Sequence, residues 1–135
     1  MRERHWFNAM IGGLLVTGCA TNPQQLAQQS DNSICESYGV YSHSALWMSA
    51  AEPYRREIER RKLITDEEWR LASGKTVRIG MSRCAMYASW GKPSKENRSV
   101  GSWGEDIQHV YDAGYRYIKA KYVYTRNGRV TSWQD

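Results

Sequence analysis

Apolar side chains in the middle of the chain recur every three or four residues, the spacing of one face of an amphipathic helix. This stripe comprises Leu46, Trp47, Ala50, Ala51, Tyr54 and Ile58. Pro53 interrupts the stripe, so we expect either one helix that ends near Ala51 and a second that begins at Pro53, or a single kinked helix. The opposite face carries Glu52–Arg56 and Glu57–Arg61, which are favourable pairs at helical spacing and predict a solvated surface. A contact with anionic lipid or peptidoglycan is the alternative.

Two shorter helices are predicted from the residues that begin and end them. Thr65 is followed three positions later by Glu68, a capping box that begins a helix running from Asp66 to about Ala72. Ser82 can cap the next helix, which ends at residues 91–93, a Gly-Lys-Pro sequence. Because capping explains the acidic residues of the first helix, we do not expect an acid–base site there.

The last third of the chain alternates between apolar and polar residues, as strands do. Four strands are predicted, at Arg98–Trp103, Ile107–Asp112, Tyr117–Thr125 and Arg129–Trp133. In the third strand, Ile118, Ala120, Tyr122 and Tyr124 share one face, and Lys119, Lys121, Val123 and Thr125 share the other. Asn127-Gly128 is a strong hairpin signal. Since helices precede strands, we predict an α+β fold in which N-terminal helices pack on one face of a C-terminal three- to four-stranded antiparallel meander sheet.

The N-terminal residues 1–18 have the features of an export signal. Arg2 and Arg4 precede an apolar stretch from Phe7 to Gly18, which is too short to span a membrane. The stretch ends in Val16-Thr17-Gly18-Cys19, which resembles the lipobox of bacterial lipoproteins. The resemblance implies cleavage before Cys19 and lipidation of its sulfur and new amino group. An ordinary signal peptide or an N-terminal core helix is the alternative.

The lipobox resemblance makes a membrane the first expected partner, because two or three acyl chains anchor a protein stably. Ala20 follows the cysteine, and by resemblance to Gram-negative sorting this implies the outer membrane, with the domain facing the periplasm. Residues 19–32 are rich in Gln and Asn, which favours a flexible tether. A short helix over Gln24–Ser30 is the alternative.

The remaining cysteines predict a disulfide. With Cys19 lipidated, Cys35 and Cys84 form an even pair in an oxidising compartment. Two unpaired thiols are the alternative. The mature chain adds only His43 and His109, at no zinc-like spacing, so we expect no metal and no cofactor. The formal net charge of +5 comes from scattered Lys and Arg residues, and we expect no nucleic-acid partner.

The C-terminal part, residues 77–135, carries a family resemblance. The matching residues are Ile79-Gly80-Met81, Met86, Trp90, Gly91-Lys92-Pro93, Val110-Tyr111, Tyr122-Val123-Tyr124 and Asn127-Gly128-Arg129-Val130-Thr131. This pattern resembles the SmpA/OmlA (BamE-like) lipoproteins and, more loosely, the repeat of β-lactamase inhibitory proteins. His109 stands where the family often has Trp, and the helical segment at residues 33–76 is longer than in its small members.

The resemblance implies a non-enzymatic protein-interaction module that supports envelope integrity or outer-membrane protein assembly, with periplasmic or outer-membrane proteins as partners. The alternative is an inhibitor-like module that docks a hydrolase through its sheet. We expect no small-molecule substrate, because neither His43 nor His109 lies in a recognisable triad order. The aromatic residues predicted to contact partners are Trp103, Tyr111, Tyr122, Tyr124 and Trp133. The alternative is that these rings form cross-strand pairs that complete the core.

Overall fold

The computed structural model describes residues 22–112, 114 and 119–135, and it is α+β, as predicted. The described part of the chain contains helices first and strands after. The helices are α1 (Pro23–Gln28), α2 (Asp31–Ser42), α3 (Met48–Arg61), α4 (Asp66–Ser73) and α5 (Arg83–Trp90). The strands are β1 (Lys95–Gly101), β2 (Gly104–Tyr111), β3 (Lys121–Arg126) and β4 (Arg129–Gln134).

The four strands form an antiparallel meander in the order β1-β2-β3-β4. The hairpin predicted at Asn127-Gly128 joins β3 to β4, and both residues adopt the positive φ that such a turn requires. β1 and β2 each begin three residues before the predicted positions, because they pair from Lys95 and Gly104 onward. The start predicted for the third strand, Tyr117, lies outside the described residues.

Helix α5 connects the helical layer to the sheet. Its Tyr87 and Trp90 rings meet His109 and Tyr111 of β2 edge to face, with centroids 5.9 and 5.5 Å apart. Helices α2 and α4 pack on α5, and α3 packs on α2. Gly39 permits the close approach of α2 to α5, since a Cβ at that position would lie 2.9 Å from the carbonyl oxygen of Tyr87.

The disulfide predicted between Cys35 and Cys84 is present. It joins α2 to α5, with the two Cα atoms 5.0 Å apart and both residues buried. The sulfurs lie within one continuous core that spans the helices and the inner face of the sheet. Its fully buried members include Ile34, Ile58, Met86, Tyr87, Val123 and Val130. The disulfide therefore crosslinks two helices that hydrophobic burial already holds together.

The predicted caps of the short helices are also observed. The Thr65 hydroxyl accepts from the backbone N–H of Glu68, and the Glu68 carboxylate accepts in return from the N–H of Thr65. The same carboxylate accepts from the N–H of Ser82 at 2.7 Å, which ties α4 to the start of α5. The Ser82 hydroxyl caps α5, and Gly91 ends it.

The long amphipathic stripe forms one helix and not two that meet at Pro53, and it differs from its prediction at its N-terminal end. Helix α3 runs without a break through Pro53, where only the exposed Ser49 carbonyl loses its helical partner, and water can replace it. Buried Ala51 and Tyr54 on either side hold the helix against its neighbours. The helix begins at Met48, so Leu46 and Trp47 lie in the preceding turn and do not reach the core.

The predicted tether is corrected over residues 22–32, where the chain is folded. Asn22 caps α1, Pro23 occupies its first turn, and Leu26 is buried in the core. The Arg61 guanidinium, itself largely buried, donates to the backbone carbonyls of Leu26 and Gln29 at 2.8 and 2.9 Å. A Gln-rich segment can therefore dock when one apolar side chain and one arginine hold it. The alternative, a short helix here, matches the structure.

Candidate functional site

A buried polar network links α5 to the sheet. His109 lies on β2 with no solvent exposure, and its Nδ1 is 2.7 Å from Oε1 of Glu96 on β1. Its Nε2 is 2.9 Å from the hydroxyl oxygen of Thr125 on β3, which is also buried. The hydroxyl of Tyr87 donates to the same Glu96 oxygen at 2.6 Å. Each buried polar group in this network therefore has a partner.

The network has the order hydroxyl, imidazole, carboxylate, which is the arrangement of a nucleophilic triad. A substrate could not reach it, because both Thr125 and His109 are sealed between α5 and the sheet. The hydrogen bond with His109 is the main cause that keeps the pKa of Glu96 below its usual value. Burial raises the pKa of the Tyr87 phenol well above its usual value. This geometry favours a structural role that fixes α5 on the sheet.

His43, the other candidate histidine, also has structural contacts. Its Nδ1 lies 3.0 Å from the carbonyl oxygen of Gly39, and its Nε2 lies 3.1 Å from that of Ser89. The ring thus bridges the end of α2 and the end of α5. Within residues 22–112, 114 and 119–135, no group of three or more His, Cys, Asp or Glu side chains could hold a metal ion.

The five aromatic residues predicted to contact partners are divided among three places. Tyr111 and Trp133 lie on the helix-facing side of the sheet beside Trp90, and Tyr111 donates its hydroxyl to the Gly91 carbonyl. Tyr122 and Tyr124 lie on the opposite side, half-buried. Trp103 occupies the β1–β2 turn and is about half exposed. They therefore form neither one contact surface nor one set of cross-strand pairs.

The outer face of the sheet is polar and hydrogen-bonded. The Asn97 amide donates to Gln108 at 2.8 Å, and the Gln108 amide lies 3.1 Å from the Tyr124 hydroxyl, so that a row of polar groups crosses three strands. Arg126 pairs with Asp106 through two nitrogens at 2.8 and 2.9 Å. A shallow depression of about 390 Å³ lies over these residues. No helix of the described chain covers this face, and its polar groups already satisfy one another.

A run of three exposed apolar residues lies at the turn between α2 and α3. Leu46, Trp47 and Met48 are 87%, 61% and 60% exposed. We call these three consecutive residues the apolar tip. The sequence contained a signal for it, since three consecutive large apolar residues cannot all face one side of a helix. Clustered exposed apolar residues of this kind mark interaction sites.

The N-terminal segment is attached at the opposite end of the α2–α3 pair. Arg61, the last residue of α3, contacts Asp31 at the start of α2 as well as the carbonyls of α1. Arg61 also donates to the Glu57 carboxylate, which accepts from Arg60 as well. The hydrogen bonds from Arg60 and Arg61 lower the pKa of Glu57 to about 2. The predicted pairs Glu52–Arg56 and Glu57–Arg61 are both present, but only the first is solvated as predicted, because Glu57 and Arg61 are largely buried. Since α3 has 14 residues, the apolar tip is about 20 Å from this attachment.

The predicted lipidation site, Cys19, and the predicted signal peptide lie outside the described residues. Among the helices that the structure describes, none has both the length and the apolar character needed to cross a bilayer. Comparison with protein-family models, curated proteins and solved structures finds no match for this chain. The resemblance to SmpA/OmlA lipoproteins therefore stays a prediction that depends on residues 77–135 alone.

Proposed function

We propose that the protein is a bacterial envelope lipoprotein, anchored to the outer membrane through Cys19, whose folded domain binds another protein in the periplasm. Two features support this location. The sequence Val16-Thr17-Gly18-Cys19 resembles a lipobox, and the Cys35–Cys84 disulfide suits an oxidising compartment. By the resemblance of residues 77–135, the role of the contact is in envelope integrity or outer-membrane protein assembly.

The apolar tip is the observation that supports the proposed contact with another protein. Its side chains keep much of their apolar surface in water, which is costly unless a partner covers it. Trp47 is the natural anchor, because a partner pocket that buries an indole ring gains a large apolar area at little conformational cost. The sealed His109 network provides no accessible reactive group, so binding fits the domain better than catalysis.

The position of the tip indicates which way the domain faces. Residues 22–31 dock at the far end of the α2–α3 pair, so a lipid attached further toward the N-terminus approaches the domain from that end. The tip then faces away from the anchoring membrane, which favours a protein partner over the anchoring bilayer. Lipidation contributes by confining the domain near membrane-bound partners and so raising their effective concentration.

In-cell photo-crosslinking tests the proposal. A photoreactive amino acid in place of Trp47 is expected to give one discrete adduct with an envelope protein. The same amino acid in place of Lys62, exposed just past the other end of α3, is the matched control and is expected to give none. Leu46→Ser should weaken the adduct at position 47. Equal labelling from positions 47 and 62 would contradict a contact through the tip.

Cys19→Ser tests the anchor separately. The variant should move from the membrane fraction to the soluble fraction and lose most of its crosslinking, because the effective concentration of partner falls. Continued membrane retention would contradict lipidation. An inhibitor-like module would instead dock a hydrolase through the uncovered outer face of the sheet. Crosslinking to a hydrolase from Tyr124, with none from position 47, would favour that alternative.

A further inference from the structure

A second surface feature has chemistry that the proposed protein contact does not use. It is a cleft of about 340 Å³ between the C-terminal end of α5 and the sheet, where β2 ends and β3 begins, and its volume is within the range of small-ligand sites. It is lined by Lys75, Ser89, Trp90, Tyr111 and Lys121. Trp133 of β4 packs against Trp90, with ring centroids 6.5 Å apart. We call Trp90, Tyr111 and Trp133 the aromatic corner.

Hydrogen bonds hold two rings of the aromatic corner, Trp90 and Tyr111, in place before any ligand arrives. Trp90 donates its indole N–H to the Lys75 carbonyl at 3.0 Å, and Tyr111 donates its hydroxyl to the Gly91 carbonyl at 2.9 Å. The Trp90 and Tyr111 planes are nearly perpendicular, at 89°, and the Trp90 and Trp133 planes meet at 75°. A ligand therefore meets apolar ring surfaces at fixed angles, which reduces the entropy lost on binding.

The described part of the chain contributes two charged side chains to the cleft lining, and both are positive. The Lys121 ammonium lies 5.2 Å from the centroid of the Trp90 ring, and Lys75 is exposed at the cleft edge. Among the residues that the structure describes, no acidic side chain lines the cleft. Across the described residues, neither lysine takes part in an ion pair. Two ammonium groups beside a fixed aromatic corner suit an anionic ligand that also has an apolar ring face.

We propose that this cleft binds a saccharide that carries a carboxylate group. The C–H face of a pyranose ring would pack on the aromatic corner, and its carboxylate would accept hydrogen bonds from Lys121 and Lys75. An acidic peptide suits the cleft less well. The Asp and Glu side chains of such a peptide offer a carboxylate but no ring face that could pack on Trp90 and Tyr111.

Isothermal titration calorimetry of the full chain in detergent tests the proposal with four probes. One is a disaccharide of N-acetylglucosamine and N-acetylmuramic acid, whose lactyl group has a carboxylate. The second is a disaccharide containing glucuronic acid, which distinguishes a cell-wall source from other acidic glycans. The third is the neutral disaccharide of N-acetylglucosamine. The fourth is a short peptide rich in Asp and Glu.

The acidic disaccharides are expected to bind, with an affinity that falls as salt is added. Lys121→Met should weaken binding about tenfold, since it removes one charge-assisted hydrogen bond. Trp133→Ala, at a partly exposed ring, should weaken it similarly without unfolding the domain. Lys62→Met removes an exposed lysine just past the far end of α3 and should change nothing. Equal binding of the neutral disaccharide, binding of the peptide alone, or no binding would each overturn the proposal.

Discussion

The Cys35–Cys84 disulfide yields a prediction whose size follows from the chain. It closes a loop with a sequence separation of 49 residues between α2 and α5. Restricting an unfolded loop of that length stabilises the folded state by about 4 kcal/mol in the chain-entropy model. For a domain of this size, a loss of about 4 kcal/mol lowers the melting temperature by about 15 °C. Reduction should therefore leave the fold intact at low temperature but much less stable.

Thermal unfolding followed by circular dichroism checks this prediction on three samples. Oxidised and fully reduced protein retain the same sulfur atoms, so their difference isolates the crosslink. The variant Cys35→Ala/Cys84→Ala also removes two buried sulfurs, and it should melt somewhat below the reduced protein because packing is lost. Mass spectrometry with a thiol-blocking reagent should find both residues protected in the oxidised sample. If oxidised and reduced protein melt at the same temperature, the crosslink does not act through the unfolded chain as argued.

Two further predictions concern the N-terminal segment and pH. Leu26→Ala should destabilise the domain by about 2–5 kcal/mol, because Leu26 is buried in the core. Gln25→Ala, at an exposed position of the same helix, is the control and should have little effect. Chemical denaturation checks this, and equal midpoints for the two variants would contradict docking of α1. The folded-state pKa of Glu57 is lowered to about 2, so its ion pairs stabilise the protein above the unfolded pKa of about 4.5 and are lost as pH falls toward 2. The melting temperature should therefore drop across that pH interval, and Glu57→Gln should make the dependence of melting temperature on pH less steep. If the variant and the original protein show the same dependence, the stabilisation does not come from Glu57.

Local sequence signals predicted the ends of several elements correctly. The Thr65–Glu68 capping box, the Ser82 cap and the Asn127-Gly128 turn each depend on residues within a few positions of one another. Such interactions depend on nearby residues only, so the sequence predicts them without knowledge of the tertiary structure. The disulfide was also predicted correctly, from the number of cysteines and from the oxidising compartment that the lipobox resemblance implies.

The candidate sites were less predictable, because they depend on which surfaces remain uncovered. Periodicity placed Leu46 and Trp47 with the buried stripe, but the chain turns before Met48 and leaves both in solvent. Tyr111 and Trp133, two of the aromatics predicted to contact partners, meet at the corner built around Trp90, which lies far away in sequence. No local sequence pattern predicts these contacts between residues that are distant in the chain.

The sequence by itself determined the α+β order, the helix caps, the turn signals and the alternation of the strands, since these follow from the spacing of nearby residues. The tertiary structure alone decided which face of β3 is buried: Val123 and Thr125 face α5, and Tyr122 and Tyr124 do not. Alternation defines two faces but does not say which one the helices will cover. That choice is made by the fit between α5 and the sheet, where Tyr87 packs on His109. The fit depends on contacts between residues distant in the chain.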